Sequence, residues 1–140
     1  MNFANIIEEV LIADYKLKHN DTVRQIESIF RNNGFYTTRE YPIYKMGDGS
    51  GKKGRIDLVA RKGRFRVAVE YDHHKVIKWK SFQKIIQINP ECAIAISGDG
   101  GLKENIVRAS HYVRKLRQPL YVVSLKEKAY TTVRGVENDG

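Results

Sequence analysis

Residues Gly54 to Asp72 read GRIDLVARKGRFRVAVEYD, and the fold follows from how that stretch is parsed. Two runs rich in Val, Ala and Ile flank the short RKGR. That is the pattern of two β-strands, 55–60 and 64–72, joined in a hairpin. Strand side chains alternate faces with period two, so Phe65, Val67, Val69 and Tyr71 share one face while Glu70 and Asp72 share the other. Asp57 lies inside the first strand. Acid at three strand positions is unexpected in a chain with 25 Lys plus Arg against 16 Asp plus Glu, a formal net charge of +9.

The length of 140 residues suits one domain with a core of its own. The single cysteine, Cys92, excludes an internal disulfide and a cysteine-based zinc site. Its neighbours in ECAIAI predict a buried structural thiol. The first twenty residues carry Glu8, Glu9 and Asp14 among their apolar positions and have no basic leader. They predict neither a signal peptide nor a membrane span, and the expected location is the cytoplasm. The basic excess favours a polyanionic partner through counterion release and steering.

Working outward, Phe3, Ile6, Ile7, Val10, Leu11 and Leu17 are at helical spacing and predict an N-terminal helix within 1–19. Asn20 and Asp21 predict a fresh start for a second helix, with Val23, Ile26 and Phe30 inward and Asn33-Gly34 as its stop. Glu27 borders that apolar face. FYTTREYPIY reads as a strand ending near Pro42, and KMGDGSGKKG as a loop. After the hairpin, a helix is expected over 78–88 with Trp79, Phe82, Ile85 and Ile86 buried. CAIAIS (92–97) has the length and composition of a buried strand. A helix over 102–116 follows, with Leu102, Ile106, Ala109 and Val113 inward, then a last strand, LYVVSL, and a tail over 130–140 expected to fray. This is one domain, 1–140, with a core over 21–125. Its order is α-α-β-β-β-α-β-α-β, and the second half implies parallel strands joined through helical crossovers.

Asp57 and Glu70 lie on neighbouring strands and are expected to converge. Buried carboxylates brought together repel one another unless they bind a hard divalent cation. Mg²⁺ suits such a site, with Mn²⁺ as a substitute, because it takes one or two carboxylates plus waters and phosphate oxygens. A metal so held activates water and stabilises a phosphodiester transition state. An acid at a strand end is otherwise an ordinary solvated residue, paired here with the basic residues that flank RID.

GRIDLVA, a short turn and VAVEYD, set after a helix and before helix-strand-helix-strand, resemble the PD-(D/E)xK nuclease superfamily. The resemblance covers roughly residues 21–125. It implies an α/β fold: a restriction-endonuclease-like αβββαβ core, a mixed central sheet flanked by helices, here with an extra N-terminal helix. It also implies a Mg²⁺-dependent DNA endonuclease, with double-stranded or branched DNA as partner and a homodimer by analogy with small Holliday-junction resolvases. Gly34-Phe35 echoes that group, and a phage-type endonuclease is the other form.

By the same resemblance, Asp57 is the motif aspartate, Glu70 the first acid of the half-motif, the Tyr71 carbonyl a metal ligand, and Glu27 a helix-borne acid. Two positions depart from the pattern. Ile56 replaces proline, and Asp72 stands where the family has its lysine. Two accounts of that departure are open. Either a lysine from KVIKWKSFQKI reaches back, Lys84 before Lys80, or Asp72 is a further metal ligand. A third outcome is an inactive module that only binds nucleic acid. An adaptor that binds protein is weaker still.

Nucleic-acid contacts are expected from Lys52, Lys53 and Arg55 at the glycine-rich tip and from His73, His74, Lys75 and Lys78 after the hairpin. His73-His74 are expected to point apart and to meet phosphate, not a metal. His111 lies beside Arg108, Arg114 and Lys115 on a basic helix face. Tyr36, Tyr41 and Tyr44 fit base stacking and core packing equally.

Overall fold

A computed structural model describes residues 3–15, 18–44, 54–111 and 118–133. Its elements in order are α1 (Phe3–Ile12), α2 (His19–Asn32), β1 (Tyr36–Ile43), β2 (Gly54–Lys62), β3 (Phe65–Asp72), α3 (Trp79–Ile88), β4 (Cys92–Ser97), α4 (Leu102–Ser110), β5 (Leu120–Ser124) and β6 (Ala129–Val133). The six strands form one sheet in the order β1-β2-β3-β4-β5-β6. Its first three strands and its last pair are antiparallel, and β3-β4-β5 are parallel through α3 and α4. The fold is α/β with a mixed sheet.

Each face of the sheet carries two helices. Ile6, Ile7 and Val10 of α1 and Ile26 and Phe30 of α2 pack on Leu58, Val67, Val69, Ile94 and Ile96. Phe82 and Ile85 of α3 and Ala109 of α4 pack with Ala68, Ala93, Ala95 and Val122 on the other side. β4 is buried at every position, as expected of a central parallel strand covered on both faces. The β2–β3 hairpin closes through Gly63 and Arg64, where Gly63 at φ +61° takes the left-handed first position of a tight two-residue turn.

Three boundaries differ from the sequence reading. α1 ends at Ile12, and α2 starts at His19 with Lys18 as its extended N-cap, so Asp21 falls in its first turn, where its charge suits the helix dipole. β1 ends at Ile43, beside Pro42 as expected, and an edge strand tolerates the proline because one side of it needs no ladder donors. Part of the expected tail forms β6 on β5, with Lys128 at φ +51° in the connecting turn. The helix over 102–116 is described as α4 to Ser110. Residues 112–116, like Leu17, Lys52 and Lys53, lie outside the described residues.

The expected burial of Trp79 is also revised. Trp79 is 39% exposed, and Ser81 is buried beneath the start of α3. In α4 the polar Asn105 is buried and Val107 faces out.

One irregularity positions the acids. Period two would put Ile56 and Leu58 on the same face, yet Leu58 joins the α1/α2 core and Ile56 the α3/α4 core. The reversal falls at Asp57 and at Glu40, which lies between the β1 partners of these residues and holds φ +52°. The β2–β3 ladder stops at Leu58↔Val69, one step before Asp57 would meet Glu70.

Phe30 is fully buried where α2 crosses the sheet. Phe30→Ala is expected to cost about 3–5 kcal/mol of unfolding free energy in urea titrations, against under about 0.5 kcal/mol for exposed positions such as Arg64→Ala.

Candidate active site at the end of the β2–β3 hairpin

Where the ladder stops, the two acids replace it. The Asp57 backbone N–H donates to Glu70 Oε2 at 2.9 Å, and the Tyr71 N–H donates to Asp57 Oδ2 at 2.8 Å. Each strand thus presents an amide to the other strand's carboxylate. Backbone amides cannot be left unpaired in a protein interior, so this exchange fixes both side chains at the point where β2 turns away.

The remaining oxygens meet cations. Lys84 Nζ of α3 is 3.2 Å from Glu70 Oε1. His19 Nε2, from the first turn of α2, is 3.4 Å from Asp57 Oδ1 and 3.1 Å from the Tyr71 carbonyl oxygen. Lys80 lines the same groove without an ion pair among the described residues. The groove holds about 330 Å³ and is also lined by His73, His74 and Lys78.

The pair divides its protons unequally. Glu70 is only 2% exposed, and burial together with the neighbouring Asp57 charge pushes its carboxyl up to about 8 despite the Lys84 amine. Burial also pushes Asp57 up, but hydrogen bonds from His19, Glu70 and the Tyr71 amide outweigh it and hold Asp57 below the usual range. The Asp57 hydrogen bond raises His19 to about 9. Of the two acids, Asp57 therefore ionises more readily and Glu70 holds its proton more readily, while His19 is biased toward the imidazolium.

Asp72 is used otherwise. Its Oδ2 accepts from the Lys78 N–H and from Ser81 Oγ, both at 3.0 Å, so it satisfies the open N-terminus of α3. Lys78 itself supplies no side-chain cap. The acid at position 72 therefore has a local role: the helix that carries Lys84 needs an acceptor there.

The segment between Asp72 and α3 is held at several further points. Asn105 accepts from the Ile77 N–H at 2.7 Å and donates to the Lys75 carbonyl at 3.1 Å. Ser97 Oγ donates to the His74 carbonyl at 2.8 Å, and Arg108 Nε donates to the Ile77 carbonyl at 2.9 Å. Gly100 lies against this segment so closely that a Cβ there would sit 1.7 Å from the Lys75 oxygen. His73 and His74 are thereby set on the groove wall with their rings 6.1 Å apart and angled at 64°.

The other predicted residues lie outside this centre. Glu27 is eight residues beyond His19, about 12 Å along α2. It accepts from Thr37 Oγ1 at 2.8 Å and pairs with Arg39 at 3.1 Å, so it holds a β1 arginine in place. Arg55 pairs with Glu40 at 3.5 Å. Lys75 contributes its backbone carbonyl to the segment's clamp, with its side chain exposed. Tyr36 and Tyr44 are exposed, as is Tyr41 to a lesser degree, so none of the three is core. His111 packs edge-on to Trp79, whose face carries the Arg108 guanidinium.

His19 is the member that sequence reasoning missed. It lies 38 positions before Asp57, in a stretch read as a helix boundary, and no local pattern marks it.

Among the described residues no three His, Cys, Asp or Glu side chains are grouped to hold a metal ion. The donors that do meet are two carboxylates and the Tyr71 carbonyl, all hard oxygens of the kind Mg²⁺ accepts while keeping most of its waters. Lys84 and His19 contact those same oxygens, which marks the centre as one that calls for positive charge. The donor set fits such a cation. No helix among the described residues is long and apolar enough to cross a membrane. Compared with known proteins, the chain matches no family profile, no curated protein and no solved structure.

Glu70 and His19 both have folded pKa values above their unfolded ones, so each stabilises most below its unfolded pKa and less as pH rises through the folded value. Unfolding free energy is expected to fall from about pH 4.5 to about pH 9, the window set by these two shifts. Denaturant titrations across that range test it, and Glu70→Gln should flatten the lower part up to about pH 8. A second prediction concerns Asp72. Asp72→Ala should cost about 1–3 kcal/mol by stranding the Lys78 amide and the Ser81 hydroxyl, with amide exchange accelerated in the first turn of α3. Loss of metal affinity without loss of stability would instead mark Asp72 as a ligand.

Proposed function

We propose that this protein is a metal-dependent DNA endonuclease of the PD-(D/E)xK type, with Asp57 and Glu70 as its acids and Lys84 as its lysine. The observation that carries the reading is the reciprocal Asp57–Glu70 pair with the Lys84 amine on Glu70. Two buried acids are joined across a broken ladder, and a cation from the following helix is already in place. The mixed α/β sheet is compatible with a restriction-endonuclease-like core.

Asp57, Glu70 and the Tyr71 carbonyl would hold Mg²⁺ or Mn²⁺, which supplies an activated water and neutralises charge on the phosphodiester. Glu70 would serve as a ligand in its ionised form, since its raised pKa belongs to the metal-free pair. Lys84, 3.2 Å from Glu70, would orient the attacking water and meet the developing charge. Lys78, Lys80, His73 and His74 attract and align the DNA backbone along the groove. Water attacks phosphorus, the P–O bond to one deoxyribose oxygen breaks, and that oxygen leaves with a proton.

One observation favours a binding-only protein instead: all four oxygens of the acid pair already have partners within the chain. Calorimetry with Mg²⁺ and Mn²⁺ separates the two readings, since a binding-only protein shows no metal heat.

The activity test incubates supercoiled, linear and branched DNA with each metal. Wild type is expected to cleave at least one substrate. Asp57→Asn, Glu70→Gln and Lys84→Met should each lose at least about 100-fold in rate while keeping the near-UV circular dichroism of wild type. Cleavage that persists in both acid variants would sink the proposal.

A further inference from the structure

Asp57 is reached from two sides. Besides the groove along α3, a second groove of about 340 Å³ opens between α2 and β1, and both include His19 and Asp57 in their walls. The second is lined mainly by polar surface from His19, Asn20, Arg24, Arg39 and Glu40. We infer that this α2-side groove is a second nucleic-acid subsite, so that an unpaired strand crosses the acid pair and is held by phosphate contacts on both sides. The inference rests on the nuclease reading and names the form of its substrate.

Two arginines, Arg24 and Arg39, line this groove beside the His19 ring. Both acids in its wall are committed elsewhere. Glu40 pairs with Arg55 at 3.5 Å, and Asp57 accepts from the Tyr71 amide at 2.8 Å and meets His19 at 3.4 Å. Arg39 is held by Glu27 at 3.1 Å, and Glu27 is itself anchored by Thr37 and Arg31. Arg24 is exposed on α2 and makes no ion pair among the described residues, which leaves its guanidinium available for a phosphate.

Size and placement decide between a single strand and a duplex. Each groove is at the small end of the range for small-molecule sites, about 300–1,000 Å³, and so takes one nucleotide-sized group. The first groove lies on the α3 side of the sheet and the second on the α2 side, with the parting of β2 and β3 between them. A strand passing from one to the other runs across the end of the sheet between two layers of helices. A base-paired partner would need room that two grooves of this size do not give.

The test is fluorescence anisotropy of end-labelled oligo(dT) and of a duplex of equal length, titrated in EDTA over a series of salt concentrations. The proteins are wild type, Arg24→Ala in the α2-side groove, Lys80→Ala in the α3-side groove, and Arg64→Ala at the far end of the hairpin. Losing one phosphate contact to a single strand should lower the slope of log affinity against log salt by about 0.7, roughly fivefold in affinity at 0.1 M salt. Arg24→Ala and Lys80→Ala are each expected to show that loss with oligo(dT) and a smaller one with duplex. Arg64→Ala should bind as wild type does, and all variants should keep the wild-type melting temperature. A loss confined to Lys80→Ala, or an equal loss by Arg24→Ala on duplex and oligo(dT), overturns the inference and leaves the nuclease reading standing. No binding of any DNA by wild type overturns both.

Discussion

The structure depends on an exchange between two strands that have stopped pairing. At Asp57 and Glu70 the backbone ladder gives way to carboxylates, each taking an amide from the opposite strand. Without these acids the splayed end of the hairpin would expose unpaired amides to a buried environment, a cost of about 1–3 kcal/mol for each. With them it becomes a rigid acidic centre. The same feature ends the strand pairing and holds the chemical groups, so their positions are set by main chain and not by flexible side-chain packing. The neighbouring cations then follow as requirements, since two close acids at such burial need compensation.

A second layer of constraint serves the helix that brings Lys84. Asp72, Ser97, Asn105 and Arg108 each bond to the backbone or first turn of the 73–81 region, and Gly100 leaves room for the Lys75 carbonyl to approach. These residues come from β3, β4, α4 and the turn between the last two. The cationic wall of the groove is therefore fastened to the parallel half of the sheet, while the acids belong to its antiparallel half. The centre sits where the two halves join.

Much of this was legible in the sequence, for identifiable reasons. The hairpin showed because its apolar residues alternate on a strand that packs one face on α1 and α2, and because Gly63 marks its turn. Lys84 was named from the family resemblance, on a helix whose apolar spacing was already visible after the hairpin. The rest depends on contacts between distant segments. Nothing near His19 announces that its ring meets Asp57, and nothing near Asp72 reveals that its acceptor belongs to α3. Ser81 and Asn105 are polar residues that no sequence pattern marks for burial, yet both are buried to bond the segment between the hairpin and α3. The reversal of faces between Leu58 and Ile56 breaks the alternation that sequence patterns assume. β6 was missed because its five residues are short, polar and only partly buried.

The left-handed Glu40 has a consequence for how the molecule meets its own kind. β1 is an edge strand, largely exposed along its length, and edges of that kind recruit strands from other chains. Glu40 turns the backbone out of the extended conformation midway, and Pro42 follows with no amide hydrogen to offer. A neighbouring chain finds regular strand only over residues 36–39, too short a template for stable addition. The twist that frees Asp57 from its ladder on the inside thus also interrupts the β1 edge as a template for another strand on the outside.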